Sequence, residues 1–166
     1  MTNILKLHMG FINTPYTQET KTRPATSAKL EEKRKRNRGF SKTMTAQRVA
    51  SILEGKYGIV ETFQKIYDEE INNIIHEGFK EIAEKTILER KGQTRTSLKN
   101  LMKPSTKQIE GMFKSFLRAE EMNGMASGVP TKASFGKQRK HGMSIKPHSS
   151  FIKTGIYMAS FRAWIE

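Results

Sequence analysis

From residue 59 to residue 88 apolar side chains recur every three or four positions. Ile59, Val60, Phe63, Ile66, Tyr67, Ile71, Ile74, Ile75, Phe79, Ile82, Ala83, Ile87 and Leu88 carry the pattern. That is the period of a helix with one apolar stripe, and it predicts a single long helix over about 57–91, closed by Gly92. Glu61, Asp68, Glu69, Glu77, Glu81, Lys85 and Glu89 fall on the other face, with Glu81 and Lys85 in the favourable i,i+4 order. A shorter helix is predicted over about 43–54, with Val49, Ile52 and Leu53 on its apolar face and Gly55 as its stop. A third is predicted over about 105–122. Ser105 at its N-cap and Gln108 three residues on form a capping-box pattern, and Ile109, Met112, Phe113, Phe116 and Leu117 form its buried face.

The ends of the chain are different. Residues 123–166 read as a loop and strand region, beginning with the Gly- and Ser-bearing stretch Asn123–Gly128. At the C-terminus Phe161, Ala163 and Ile165 alternate with Arg162, Trp164 and Glu166, the period of a strand with one buried face. Residues 13–42 show no apolar period and carry Pro15, Pro24, Thr, Ser and charge, so residues 1–42 read as an extended arm attached to one domain, 43–166. Within the arm, Ile4, Leu5, Leu7, Met9, Phe11 and Ile12 are too apolar for a free tail and are expected to form a short strand or docking segment. On this division, removing residues 1–42 should leave the core folded.

Charge sharpens this division. The 166 residues carry a net charge of +14. Residues 1–42 hold ten Lys/Arg against three Glu, and residues 123–166 hold seven against one, whereas residues 43–91 hold seven bases against nine acids. Basic ends around a mildly acidic middle point to nucleic acid or an acidic protein surface as the partner of the ends. The densest block is Lys33, Arg34, Lys35, Arg36 and Arg38; a second cluster is Lys132, Lys137, Arg139 and Lys140, around Phe135 and Gly136. Either block can neutralise phosphates without reading sequence, since no zinc finger, aromatic RNA-binding signature or helix-turn-helix accompanies them.

Candidate chemistry is sparse. With no Cys, disulfides and thiolate chemistry are excluded. His8, His76, His141 and His148 lie far apart with no metal-ligand spacing. Asp68, Glu69 and Glu70 are consecutive on a helix and so diverge, whereas acid–base catalysis needs convergence. No Walker loop or dinucleotide fingerprint is present. A non-enzymatic protein without cofactor or metal is therefore expected. No stretch approaches the length of a membrane span, so membrane association is not expected either.

The C-terminal stretch "PHSSFIKTGIYMASFRAWIE" carries a resemblance. Pro147, Phe151, Ile152, Thr154, Gly155, Tyr157, Ser160 and Phe161 match a segment similar to that of tail-completion and head–tail joining (neck) proteins of tailed bacteriophages. The resemblance covers about twenty residues. It implies an α+β protomer in which Thr154–Gly155 makes a turn feeding a strand, and in which the long helix lies across a small, mainly C-terminal β-sheet. It also implies a structural virion protein, made in the host cytoplasm, that forms a homo-oligomeric ring in the neck or tail terminus. Its partners would be portal or head-completion proteins on one side and tail proteins on the other.

The basic arm then reads as an assembly arm. Its stem Lys33–Arg38, together with Lys137, Arg139 and Lys140, would meet DNA nonspecifically or a neighbour's acidic helix face, for which Glu69, Glu77, Glu81 and Glu89 are candidates. The competing reading is a basic nucleic-acid-binding or ribosome-associated protein, with basic tails around a small helical centre.

Overall fold

Alternating burial explains the last strand, and that strand organises the rest. The computed structural model describes residues 6–13, 45–88, 98–132, 134–135, 147–152 and 155–166. Strand β2, Phe161–Ile165, buries Phe161, Ala163 and Ile165 and turns Arg162 and Trp164 outward, as the sequence period predicts. Its partner is strand β1, Leu7–Phe11, antiparallel and in the register Leu7↔Ile165 to Phe11↔Phe161. The pairing continues beyond the strand ends through Lys6 N–H to the Glu166 carbonyl (2.8 Å) and Ile12 N–H to the Ser160 carbonyl (2.9 Å). The described residues are therefore mostly helical with a small two-stranded antiparallel sheet, an α+β architecture in the coarse sense.

The expected strand or docking segment near the N-terminus is thus a strand, and this corrects two expectations. The sheet is not mainly C-terminal, because half of it comes from residues 7–11. Nor is the whole of 1–42 an appendage: Leu7, Met9 and Phe11 pack on the hydrophobic core. The rest of the arm, residues 14–42, lies outside the described residues.

Helix α1, Ala46–Tyr57, starts where the Thr45 side chain caps the Arg48 N–H at 3.2 Å. Gly55 does not stop it. The stop is Gly58 at φ 56°, where a glycine pays no Cβ penalty for the left-handed conformation, and its N–H closes on the Glu54 carbonyl. The buried positions are Ala46 and Ala50, with Leu53 partly buried; Ile52 stays 54% exposed, so the face predicted from Val49, Ile52 and Leu53 is rotated. Small alanines let α1 approach its neighbours closely. The Glu54 carboxylate then accepts from the N–H groups of Val60 (2.8 Å) and Glu61 (3.1 Å), satisfying free donors at the start of the next helix.

The single helix predicted over 57–91 is two: α2, Ile59–Ile66, and α3, Asp68–Leu88, with residues 89–91 outside the described ones. Backbone hydrogen bonds run through the junction from Tyr67 N–H to the Phe63 carbonyl and from Ile71 N–H to the Tyr67 carbonyl. The apolar period therefore survives the break, which is why the sequence reads as one helix. Tyr67 sits at φ −108°, ψ 19°, its ring against Phe63 and Phe116 and its hydroxyl donating to the Glu121 carboxylate at 2.7–2.8 Å. That anchor, together with Asp68, Glu69 and Glu70 beside the new N-terminus, favours a second helix start here. The same hydrogen bond, reinforced by burial, pushes the Tyr67 phenol up to about 12.

After the short helix α4, Leu98–Leu101, helix α5 runs from Lys103 to Arg118. It starts two residues before the predicted position and ends four before the predicted end. Pro104 occupies its first turn, where the missing N–H costs nothing. Ser105 is therefore not an N-cap but a buried residue inside the helix, turned toward Gly78 of α3. The predicted face of α5 holds: Ile109, Phe113, Phe116 and Leu117 are buried and Met112 is partly so.

It is α5, not α3, that lies across the sheet, while α3 packs on α5. The sequence could not choose between two apolar-striped helices. Phe113, on α5, stacks on Phe161 at 3.9 Å between ring centroids and meets Phe63 edge-on at 5.2 Å. Phe11 of β1 completes the cluster, stacked on Tyr157 at 4.6 Å.

Candidate functional site

Two surfaces invite a chemical reading: the C-terminal segment that carries the resemblance, and a basic groove beside it. The segment enters along the end of α5. His148 N–H donates to the Ser134 carbonyl (3.1 Å), the Ser150 hydroxyl accepts from Thr131 N–H (3.0 Å), and the Phe151 ring meets Tyr57 edge-on at 5.1 Å. Gly155, at φ 71°, does not feed a strand directly. It precedes the one-turn helix α6, Ile156–Ser160, closed by Ala159 N–H to the Gly155 carbonyl and by the Ser160 hydroxyl donating to the Ile156 carbonyl. Only then does β2 begin. The extra turn lets Tyr157, Ser160 and Phe161 all face inward, which a strand of period two starting at Gly155 would not allow.

Tyr157 is nearly fully buried, its hydroxyl finds no hydrogen-bond partner among the described residues, and burial drives its phenol far up from the ordinary tyrosine value. Thr154, the other half of the predicted turn, lies outside the described residues. A Cβ at Gly155 would meet nothing within 4 Å, so a side chain there meets only backbone strain. Gly155→Val is expected to cost about 1–2 kcal/mol, the penalty of the left-handed conformation for a non-glycine residue. A denaturant-midpoint shift at constant slope would measure it; an unchanged midpoint would show that the turn tolerates another conformation.

The groove is built from α5 and the end of β2. Lys103, Lys107, Lys114 and Arg118 are spaced 4, 7 and 4 residues apart, so they line one face of α5, away from the buried Phe113 face. Lys99 of α4 extends the row, and Arg162 of β2 lies across from it. They enclose an open cavity of about 610 Å³ whose inner wall includes Met158, Ala159 and Ala163.

Glu110 is the sole acid in this lining. Its side chain, 15% exposed, accepts from Ala163 N–H at 3.3 Å and lies 4.0 Å from Arg162 Nη1. Arg162 Nη1 is itself folded onto the carbonyls of Ala159 (2.7 Å) and Phe161 (2.6 Å). The carboxylate and the guanidinium thus serve the joint between α5 and β2. Lys99, Lys103, Lys107, Lys114 and Arg118 carry no ion pair among the described residues. Trp164, the one tryptophan of the chain, forms the far wall; it stacks on His8 of β1 at 5.5 Å and 12° and remains 36% exposed.

The outer surface of α3 has the opposite sign. Asp68, Glu69, Glu70, Glu77, Glu81 and Glu84 are exposed, with Glu81 paired to Lys85 at 3.8 Å. The three consecutive acids point to water; Asp68 only accepts from the Asn72 amide at 3.3 Å. Among the described residues no three His, Asp or Glu side chains converge as metal ligands, and no helix is long and apolar enough to cross a membrane.

Of the residues singled out from sequence, Gly155 caps the start of α6, Tyr157 lies within it and Ser160 ends it. Lys33, Arg34, Lys35, Arg36, Arg38, Lys137, Arg139 and Lys140 lie outside the described residues, as does Glu89. The groove was missed by sequence reasoning. Its α5 half was legible, since cations at 103, 107, 114 and 118 mark one face of a helix; its β2 half was not, because nothing local links Arg162 and Trp164 to that face. No protein-family model matches the chain, and no curated protein and no solved structure matches it either.

Proposed function

We propose that this chain is a structural virion protein of a tailed phage, forming a homo-oligomeric ring in the neck or at the tail terminus that joins head to tail. The observation that carries the proposal is how the resembling segment is used: Gly155 in the left-handed conformation, Tyr157, Ser160 and Phe161 buried, and the strand that follows closing the sheet. What supports the reading is that Tyr157, Ser160 and Phe161 of the resembling segment lie in the core and not on the surface. Charge supports assembly: a protomer with an acidic α3 face and a basic remainder can be attracted to its own copies head to tail, the arrangement that closes into rings. The basic segment 14–42 extends the reach to neighbouring subunits, to portal or head-completion proteins and to tail proteins. The protein acts by assembly, without catalysis or cofactor, in the virion after synthesis in the host cytoplasm.

Mass by light scattering, at low and high salt and with and without nuclease, tests this. The expected result is one defined oligomer mass that survives nuclease, or a monomer that assembles when portal or tail components are added. A heterogeneous mass that collapses to monomer with nuclease overturns the proposal in favour of a nucleic-acid-binding protein. So does a monomer that ignores those components.

A further inference from the structure

We propose that the groove between α5 and the end of β2 binds the phosphate backbone of a nucleic-acid strand. Its residues are other than those of the arm block Lys33–Arg38, and it goes beyond the assembly role, since a ring forms equally well around a groove that holds nothing.

Five cations without an acidic partner among the described residues are unusual in a chain whose middle also carries many acids. Lys103 to Arg118 covers about 22 Å of helix at 1.5 Å per residue. One strand of a duplex presents a phosphate about every 3.4 Å of axis, so the row lies alongside roughly six phosphates. The one carboxylate in the lining is shielded and already engaged by Ala163 N–H and Arg162. It therefore subtracts little from the field at the groove mouth.

An acidic polypeptide is the other polyanion to weigh. The acidic face of α3, were it supplied by a second copy, is interrupted by Lys80 and Lys85, so its charge is not continuous along the row. A phosphate backbone is negative without interruption over the whole length. The far wall is consistent with the same ligand: Trp164, partly exposed, places an aromatic residue beside the basic row. Packing on His8 and close approach to Gly10 hold that ring in place before any ligand arrives.

Trp164 is also the reporter. Because it is the sole tryptophan, its fluorescence reports from the wall of this groove. The full-length protein is titrated with a short single-stranded oligonucleotide, with its duplex, and with polyglutamate, across a salt series. Trp164 emission should change saturably with nucleic acid, and affinity should fall as salt rises. The single-strand and duplex arms tell which form carries the phosphates.

Lys107→Gln with Lys114→Gln, two side chains outside the core, should weaken binding at least about ten-fold at low salt. The pair should also reduce the salt slope by about 1.8 for duplex, since each phosphate left unneutralised lowers it by about 0.9. Lys33→Gln with Lys35→Gln removes the same charge elsewhere and should leave the Trp164 response in place. A thermal melt matching the wild type certifies each variant, and Arg118→Gln provides an independent third.

Three results overturn the proposal: oligonucleotide binding with no Trp164 response, equal losses of affinity from the groove and arm pairs, or polyglutamate binding as tightly as nucleic acid. The last would make an acidic protein the occupant. None of these measurements depends on ring mass, so failure here and failure of the assembly role are read separately.

Discussion

A chain lacking residues 1–13 is expected to lose its cooperative thermal transition, or to keep it with stability reduced by about 5 kcal/mol. The segment was expected from sequence to be a dispensable part of an arm; the structure makes it the only partner of β2 among the described residues. Its removal strips the Phe11 ring from Tyr157 (4.6 Å), Phe161 (5.6 Å) and Phe113 (6.1 Å), and it uncovers the core beneath Leu7 and Met9. Full burial of such a side chain contributes about 1.5–3 kcal/mol. These three are partly buried, so together they give about half the summed value. The rest comes from the backbone groups in and beside β2 that would lose their partners, the flanking Ser160 and Glu166 carbonyls among them. Against a total stability of about 5–15 kcal/mol for a domain of this kind, that loss is decisive. Circular dichroism on heating measures it. A truncated chain that melts like the wild type would mean that β1 docks on a core already complete without it.

The second large effect is expected at Gly78. On an exposed helix, Gly→Ala gains about 1 kcal/mol from helix propensity. Here α3 crosses α5, and a Cβ on residue 78 would overlap Ser105 Oγ while standing 3.1 and 3.2 Å from Cε and Sδ of Met102. Met102 is fully buried and Ser105 nearly so, which leaves the clash little room to relax. Gly78→Ala should therefore destabilise by about 1–3 kcal/mol, the cost of overpacking a filled core. Adding Ser105→Ala removes the overlapping oxygen, so the double variant should recover most of the loss, a coupling of at least about 1 kcal/mol. Urea unfolding of the four proteins in the cycle measures it. Additive losses would show that the helices separate along their length instead of pivoting on this one contact.

The second expectation concerns a place where local pattern was silent. Gly78 sits inside a faultless helical period, and nothing in its neighbours announces that a second helix passes over it. The helix break is a similar case. The stripe from Ile59 to Ile82 reads as continuous because the hydrogen-bond ladder does continue through Tyr67. The residue at the break, Tyr67, is held by a partner 54 residues away in sequence, Glu121. Gly55 was the expected stop of α1, and the helix stops instead at Gly58. Gly58 prevailed because Glu54 closes over it, bonding the Val60 and Glu61 amides.

What the sequence determined by itself is what repeats locally. The buried face of α5 from Ile109 to Leu117, the in–out alternation of Phe161–Ile165, the basic ends and the acidic surface of α3 are all written in spacings of two, three or four residues. A side chain's direction on a helix or strand follows from that spacing alone. The tertiary structure decided what spacing cannot carry: that β1 is the partner of β2, that α5 rather than α3 covers the sheet, and that Lys103–Arg118 and Trp164 face one groove. Each of these is a choice between partners far apart along the chain, and it is made by the shape and burial of the whole core, which no short window of residues contains.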